Sequence, residues 1–180
     1  MEIKYIHIFP QVDVEQFEDL LEKQDFNQQL EKLPNVSRRT LVEERKLGGG
    51  KRHTVVRYEA KGVPAQARKY IGDEIVGWIE VVDFNRNTHI HTFQLIPYLL
   101  KDRIKCEGQY VLEPLGPEGG TIRTVKVSLK VKILGVGAIM ERGAKPFLDA
   151  NAREEERIIR EYIRTHVAQK AKAAAKKKKK

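Results

Sequence analysis

TVKVSLKVKIL, residues 124–134, sets Val125, Val127, Leu129, Val131 and Ile133 on one side of an extended chain and Lys126, Ser128, Lys130 and Lys132 on the other. Side chains of a strand alternate between its two faces, so this segment has one face against an apolar layer and one in water. The period then changes. After Gly135 and Gly137, residues 138–170 carry Ile139, Met140, Ala144, Phe147, Leu148, Ile158, Ile159, Tyr162, Ile163 and Val167 at helical, core-facing intervals with charges between them. An amphipathic strand is therefore followed at once by an amphipathic helix long enough to cross a whole sheet. Pro146 predicts a kink in it, because a proline inside a helix removes one hydrogen bond and crowds the preceding turn.

Upstream, from residue 36, strand and turn signals alone are found. Residues 103–115, RIKCEGQYVLEPL, alternate so that Ile104, Cys106, Gly108, Tyr110 and Leu112 share a face. Residues 74–96 read as a hairpin turning at Asn85–Asn87, and residues 36–60 as another turning at Gly48, Gly49 and Gly50, which supply positive φ angles. Before these, residues 13–33 place Val14, Phe17, Leu20, Leu21, Phe26, Leu30 and Leu33 at helical spacing, with Asp13 as cap and a break near Asp25. IKYIHIF, residues 3–9, is a first strand ended by Pro10.

This order, a strand, a short helical pair, a run of antiparallel strands and one long C-terminal helix, resembles the helix-grip fold of the START-like (SRPBCC) superfamily, to which birch-pollen-allergen proteins and polyketide cyclase relatives belong. The segments KGVPAQARKYIGDEIVGW (61–78), lid-like, and VKILGVGAIMERG (131–143) are similar to a little-characterised bacterial branch of it. The resemblance implies an α+β fold in which a curved antiparallel sheet of about seven strands wraps the C-terminal helix over residues 1–169. The lysine-rich tail over 170–180 reads as disordered from its own composition, because its five closing lysines repel one another. The resemblance also implies a cavity between sheet and helix for a lipid or another apolar ligand. A filled core and a hollow one share the same binary pattern, so periodicity does not separate them.

On that expectation the ligand-facing residues are Val127, Leu129 and Val131, opposite Ile158 and Tyr162, together with Phe93, Tyr110, Trp78, Phe147, His89 and His91. The two histidines, in THIHTF (88–93), share parity with Phe93 and Leu95. Wall or rim residues and two solvated outer-face histidines are both open readings. A metal needs a third ligand, and only His53, His7 or His166 could be offered, so none is assigned. Arg57, Glu59, Glu80 and Asp83 are strand residues that either charge a pocket or lie in water. No Ser/His/Asp, Cys/His or paired-carboxylate arrangement has local support, so no catalytic residue and no cofactor is assigned. A cyclase- or hydrolase-type enzyme using His89 or His91 as base is the alternative from another class, and a filled-core interaction module recruited by a basic tail is a third. GGGKR (48–52) lacks phosphate-loop spacing and context.

With 180 residues, 41% of them hydrophobic, the chain suits one domain. Seven of its nine excess positive charges sit in KAKAAAKKKKK, residues 170–180. The basicity thus points to the tail, and to weak contact with an anionic membrane in preference to nucleic-acid binding by the body, whose basic stripe lacks interleaved aromatics. Cys106 is the single cysteine, which excludes an intrachain disulfide. No apolar run approaches the roughly 20 residues of a membrane span or forms a signal peptide, so a cytoplasmic protein, peripheral at a membrane surface, is expected. Deleting residues 170–180 should leave folding intact and weaken binding to anionic liposomes. The difference should vanish with salt as the Debye length falls below its physiological ~8 Å. Superimposable binding curves would reduce the lysines to a solubility device.

Overall fold

Every strand but one lies beside its neighbours in sequence. The computed structural model describes residues 1–61 and 77–177, with side chains as far as Val167. In chain order the elements are β1 (Glu2–Phe9), α1 (Val14–Leu21), α2 (Gln24–Gln29), a 3-10 turn (Leu30–Lys32), β2 (Val36–Gly48), β3 (Lys51–Ala60), β4 (Gly77–Asn85), β5 (Ile90–Pro97), β6 (Ile104–Pro114), β7 (Thr121–Val131) and α3 (Gly137–Lys177). The antiparallel sheet has the order β1-β7-β6-β5-β4-β3-β2. The exception is β1, which adds to β7 at one edge and so brings the two ends of the fold together. This is the helix-grip architecture that the element order implied.

Local chemistry explains most boundaries. Gly48, Gly49 and Gly50, at φ 76°, 55° and 71°, make the β2–β3 turn, and these are values that side-chain-bearing residues rarely adopt. Asp13 caps α1, its Oδ1 accepting from the Gln16 N–H at 2.8 Å. Gly108 stands opposite Phe93 on β5 and Val127 on β7. A Cβ there would meet the Lys126 carbonyl oxygen at 2.1 Å and the Phe93 ring at 2.5 Å, so glycine alone lets that ring lie across β6.

The inner face of β7 extends further back than the run of valines suggests. Thr121 and Arg123 are buried on it with Val125, Val127 and Leu129. Beyond Val131 the chain turns through Gly135, at φ 79°, and α3 returns antiparallel to β7, packing most closely on β7 and β1. Contacts along α3 mark this direction: Glu141 Oε1 accepts from the Val131 N–H at 2.9 Å, Asp149 Oδ1 from the Tyr5 hydroxyl at 2.8 Å, and Glu155 from Arg123. Ile158, Ile159, Tyr162 and Ile163 follow as the most deeply buried side chains of the helix.

That reversal corrects one expectation. Leu129 and Val131 face the first turns of α3, whereas Ile158 and Tyr162 lie toward the other end of β7, near α2, where the Tyr162 ring is 5.2 Å from that of Phe26. Ile139 and Val167, expected to face the core, are 54% and 39% exposed. The helical assignment is continuous through Pro146 and carries on to Lys177, past the boundary drawn at residue 169. The tail's side chains and nearly all of the lid-like segment 61–78 lie outside the described residues.

Leu129→Asp should cost about 3 kcal/mol or more, since it buries an unpaired charge under α3. Thermal and urea unfolding would measure this, and an unchanged midpoint would put that face in solvent.

Candidate functional site

α3 does not fill the sheet's concave face. Between them lies a cavity of ≈ 640 Å³. Strand parity decides what borders it. On β4, Trp78, Glu80, Val82 and Phe84 all point inward, and on β3 Arg52, Thr54, Val56 and Tyr58 do so. β5 adds Phe93 and Leu95, β6 adds Tyr110, and β7 adds Arg123, Val125 and Val127. Leu148, Asn151, Ala152 and Glu155 of α3 roof it, and Leu21, Phe26 and Leu30 close the side next to the short helices.

Among the described residues, three arginines face into this space, each with an acidic counterpart. Arg123, 5% exposed, grips Glu155 with two bonds, Nη1 to Oε2 at 3.1 Å and Nη2 to Oε1 at 2.9 Å. Burial disfavours its charge, and the Glu155 carboxylate outweighs that and holds the guanidinium above its ordinary value. Arg52 lies 3.3 Å from Glu44 and 3.9 Å from Glu22. Arg39 reaches its carboxyl through a phenol: its Nε donates to the Tyr58 hydroxyl at 2.9 Å, which donates to Glu80 Oε2 at 3.0 Å. Tyr58 is stacked on Trp78, ring centroids 5.0 Å apart. Burial raises the pKa of Glu80 against the opposing pull of the Tyr58 bond and Arg39, and burial likewise pushes the Tyr58 and Tyr110 phenols up. The cavity therefore combines a broad apolar wall with one polar cluster.

Of the residues expected to face a ligand, Val127, Tyr110, Phe93 and Trp78 border the cavity. Leu129, Val131, Phe147, Ile158 and Tyr162 are not among its lining residues. The antiparallel course of α3 packs Leu129, Val131, Ile158 and Tyr162 toward its two ends, and Phe147, next to the lining Leu148, is only half-buried. His89 and His91 do share the inner face, but a carboxylate holds them away from the cavity. Glu18 of α1, 4% exposed, accepts from His91 Nε2 at 2.9 Å and His89 Nδ1 at 3.2 Å, with Arg86 Nε 3.4 Å away. Burial alone would push this carboxyl up, and the two histidine bonds outweigh it and hold it below its usual value. His91, 1% exposed, stacks behind Tyr110 with ring centroids 4.6 Å apart. The pair fastens α1 to the β4–β5 hairpin.

Arg57 and Asp83 lie on the outer face, where Asp83 meets His53 at 2.7 Å. Cys106 is buried beside Leu129, its thiol pushed up to about 11 by burial. Among the described residues no three His, Cys, Asp or Glu side chains are grouped as a metal site. Sequence reasoning missed Glu18, Arg39 and Arg123, and named Glu80 only as one of four strand residues that could charge a pocket or lie in water. Their signal was available as phase: Glu18 falls on the stripe of Val14, Phe17 and Leu21, Arg123 shares parity with Val125, and Glu80 shares parity with Trp78 and Val82.

The model for the family described as "Protein of unknown function (DUF2505)" matches residues 5–163. The chain belongs to this family. No curated protein matches it. Among solved structures, this DUF2505 chain is similar to a protein of Thermus thermophilus, at 17% identity and TM-score 0.64 over 92% of this chain and 99% of that one. The Zhui aromatase/cyclase of a Streptomyces species gives 13% and 0.58 over 97% of each chain. A START superfamily protein of Mycobacterium smegmatis gives 15% and 0.55 over 91% and 97%. These likenesses establish the START-like fold of the DUF2505 chain.

Since burial raises the Glu80 pKa above the usual 4.5, the folded chain holds this proton more tightly than the unfolded chain. The stability associated with the neutral acid is complete below the usual value and declines as pH climbs toward the folded one. Glu80→Gln should remove that decline, so its melting temperature should gain on the parent's as pH rises from about 4.5 to neutrality. Parallel pH–stability curves would show that Glu80 does not titrate in this way.

Proposed function

We propose that this protein is a non-catalytic carrier or sensor that holds a hydrophobic small molecule, lipid-like in size and character, between its sheet and α3. The observation that carries this reading is the ≈ 640 Å³ cavity, which lies within the range of about 300–1,000 Å³ usual for small-molecule sites, lined by apolar and aromatic side chains with a few polar groups among them. Burying a ligand's apolar surface there gains roughly 25 cal/mol per Å² removed from water, enough to hold a chain-like molecule without chemistry. The names of the solved neighbours, a START superfamily protein and an aromatase/cyclase, accord with small-molecule occupancy.

The enzyme alternative based on His89 or His91 finds no support in their placement, since Glu18 engages both and Tyr110 stands between His91 and the cavity. A filled-core interaction module fits the open space poorly. Weak contact of the lysine-rich tail with an anionic membrane surface would let such a carrier exchange its cargo there. No described helix is long and apolar enough to cross a membrane.

Trp78, the only tryptophan of the chain, borders the cavity and reports on its occupancy. Gentle purification followed by native mass spectrometry should reveal a co-purifying apolar molecule. Stripping it and adding it back should shift Trp78 emission saturably at one equivalent. A chain of bare mass whose emission ignores every lipid extract would contradict the carrier reading.

A further inference from the structure

Among the described residues, each arginine bordering the cavity has a carboxyl counterpart: Glu155 for Arg123, Glu44 and Glu22 for Arg52, and Glu80 for Arg39 by way of Tyr58. A carboxylate or ammonium head group entering this space would be stripped of water, and beyond the unused Arg39 N–H groups and Glu80 Oε1 it would have to break one of these pairs to find a partner. A neutral head group meets no such obstacle. Arg52 Nε, Arg123 Nε and His7 Nδ1 also lack partners among the described residues but are enclosed by protein, whereas Glu80 and Arg39 together offer an acceptor and donors. Tyr58 occupies Oε2 of Glu80, and no described residue bonds Oε1. Arg39 has five N–H donors. Three are used, on the Tyr58 hydroxyl, the Asn27 carbonyl and Asn27 Oδ1.

Resting on the carrier reading above, we infer that Glu80, braced by Tyr58 and Arg39, is the head-group site of the cavity and selects a neutral alcohol over the carboxylate or ammonium of the same chain length. A hydroxyl both donates and accepts, so it satisfies Oε1 whether Glu80 carries a proton or not, whereas a carbonyl accepts only and an ammonium donates only. Tyr58 fixes the carboxyl's direction, and its stack on Trp78 sets that indole beside the bound head group. The apolar wall from Val56, Val82, Phe93 and Val127 then takes the tail.

The test titrates the full chain, freed of bound lipid, with dodecanol, dodecanoate and dodecylammonium, following Trp78 emission and confirming stoichiometry by native mass spectrometry. Dodecanol should bind at least about tenfold more tightly than either ion, the equivalent of one well-made hydrogen bond set against an unpaired charge. Glu80→Gln, whose amide also donates and accepts, should keep that preference. Glu80→Leu should lose about tenfold for dodecanol while its melting temperature stays at or above the parent's, which separates lost binding from lost folding. Tyr58→Phe, which leaves the Glu80 carboxyl without its brace, should fall between the two. Equal affinity for all three probes, or unchanged dodecanol binding in Glu80→Leu, would overturn the head-group assignment and leave the carrier reading standing. Tighter binding of dodecanoate would overturn it in favour of Arg39 as an anion site. Failure of every probe to bind would bring down the carrier reading itself.

Discussion

α3 is pinned to the sheet at several points along its length and borders open space between them. At its start, Glu141 takes the Val131 N–H at the end of β7. Toward its far end, Glu155 holds Arg123, and Ile158, Ile159 and Ile163 are buried beyond it. The stretch between presents Leu148, Asn151 and Ala152 to the cavity, side chains too short to reach the opposite wall. The concave sheet and a helix pinned along one side by Glu141, Asp149 and Glu155 leave a volume that neither fills. The position of the cavity, the residues that border it and those that do not all follow from this arrangement.

Polar groups inside such a space need internal partners, because an unpaired buried charge is expensive. The interior meets this requirement with pairs that span elements. Arg123 on β7 is tied to α3, Arg39 on β2 to β3 and β4 through Tyr58, and Arg52 on β3 to α1 through Glu22. Each pair therefore also fixes the relative position of two or more parts of the wall. Replacing a buried pair by hydrophobic residues is often neutral or stabilising in general, so these pairs are better understood as fixing geometry and ligand polarity than as sources of stability.

The Glu18 clasp does similar work outside the cavity. α1 is only eight residues long, too short to be stable alone, and it is docked by Phe17 on Phe9, ring centroids 4.9 Å apart, and by Glu18 on His89 and His91. His89 sits at φ 54° just before β5, a backbone conformation uncommon for a side-chain-bearing residue. The histidines thus have a structural duty, which leaves the arginine–carboxyl pairs and the Tyr58 and Tyr110 phenols as the cavity's polar chemistry.

The sequence by itself determined the elements, their order and the inward face of most strands. Alternation in 124–131 and 104–112, the glycines at 48–50, the Asp13 cap and the apolar stripe of the last helix are local signals, each readable within a few residues because sterics and periodicity act at short range. Parity also carried information that went unused, on Glu18, Glu80 and Arg123. Tertiary structure alone decided the register of α3 against β7. The binary pattern says that Leu129 and Ile158 are both buried, but not which lies opposite which. That depends on the reversal after Val131, and so does the difference between a packed side chain and a cavity wall. Whether a carboxylate would claim the two histidines was equally out of reach, since Glu18 and His91 stand 73 residues apart in the chain. Periodicity records that a side chain turns inward. What it meets there is set by distances between elements that no local pattern encodes.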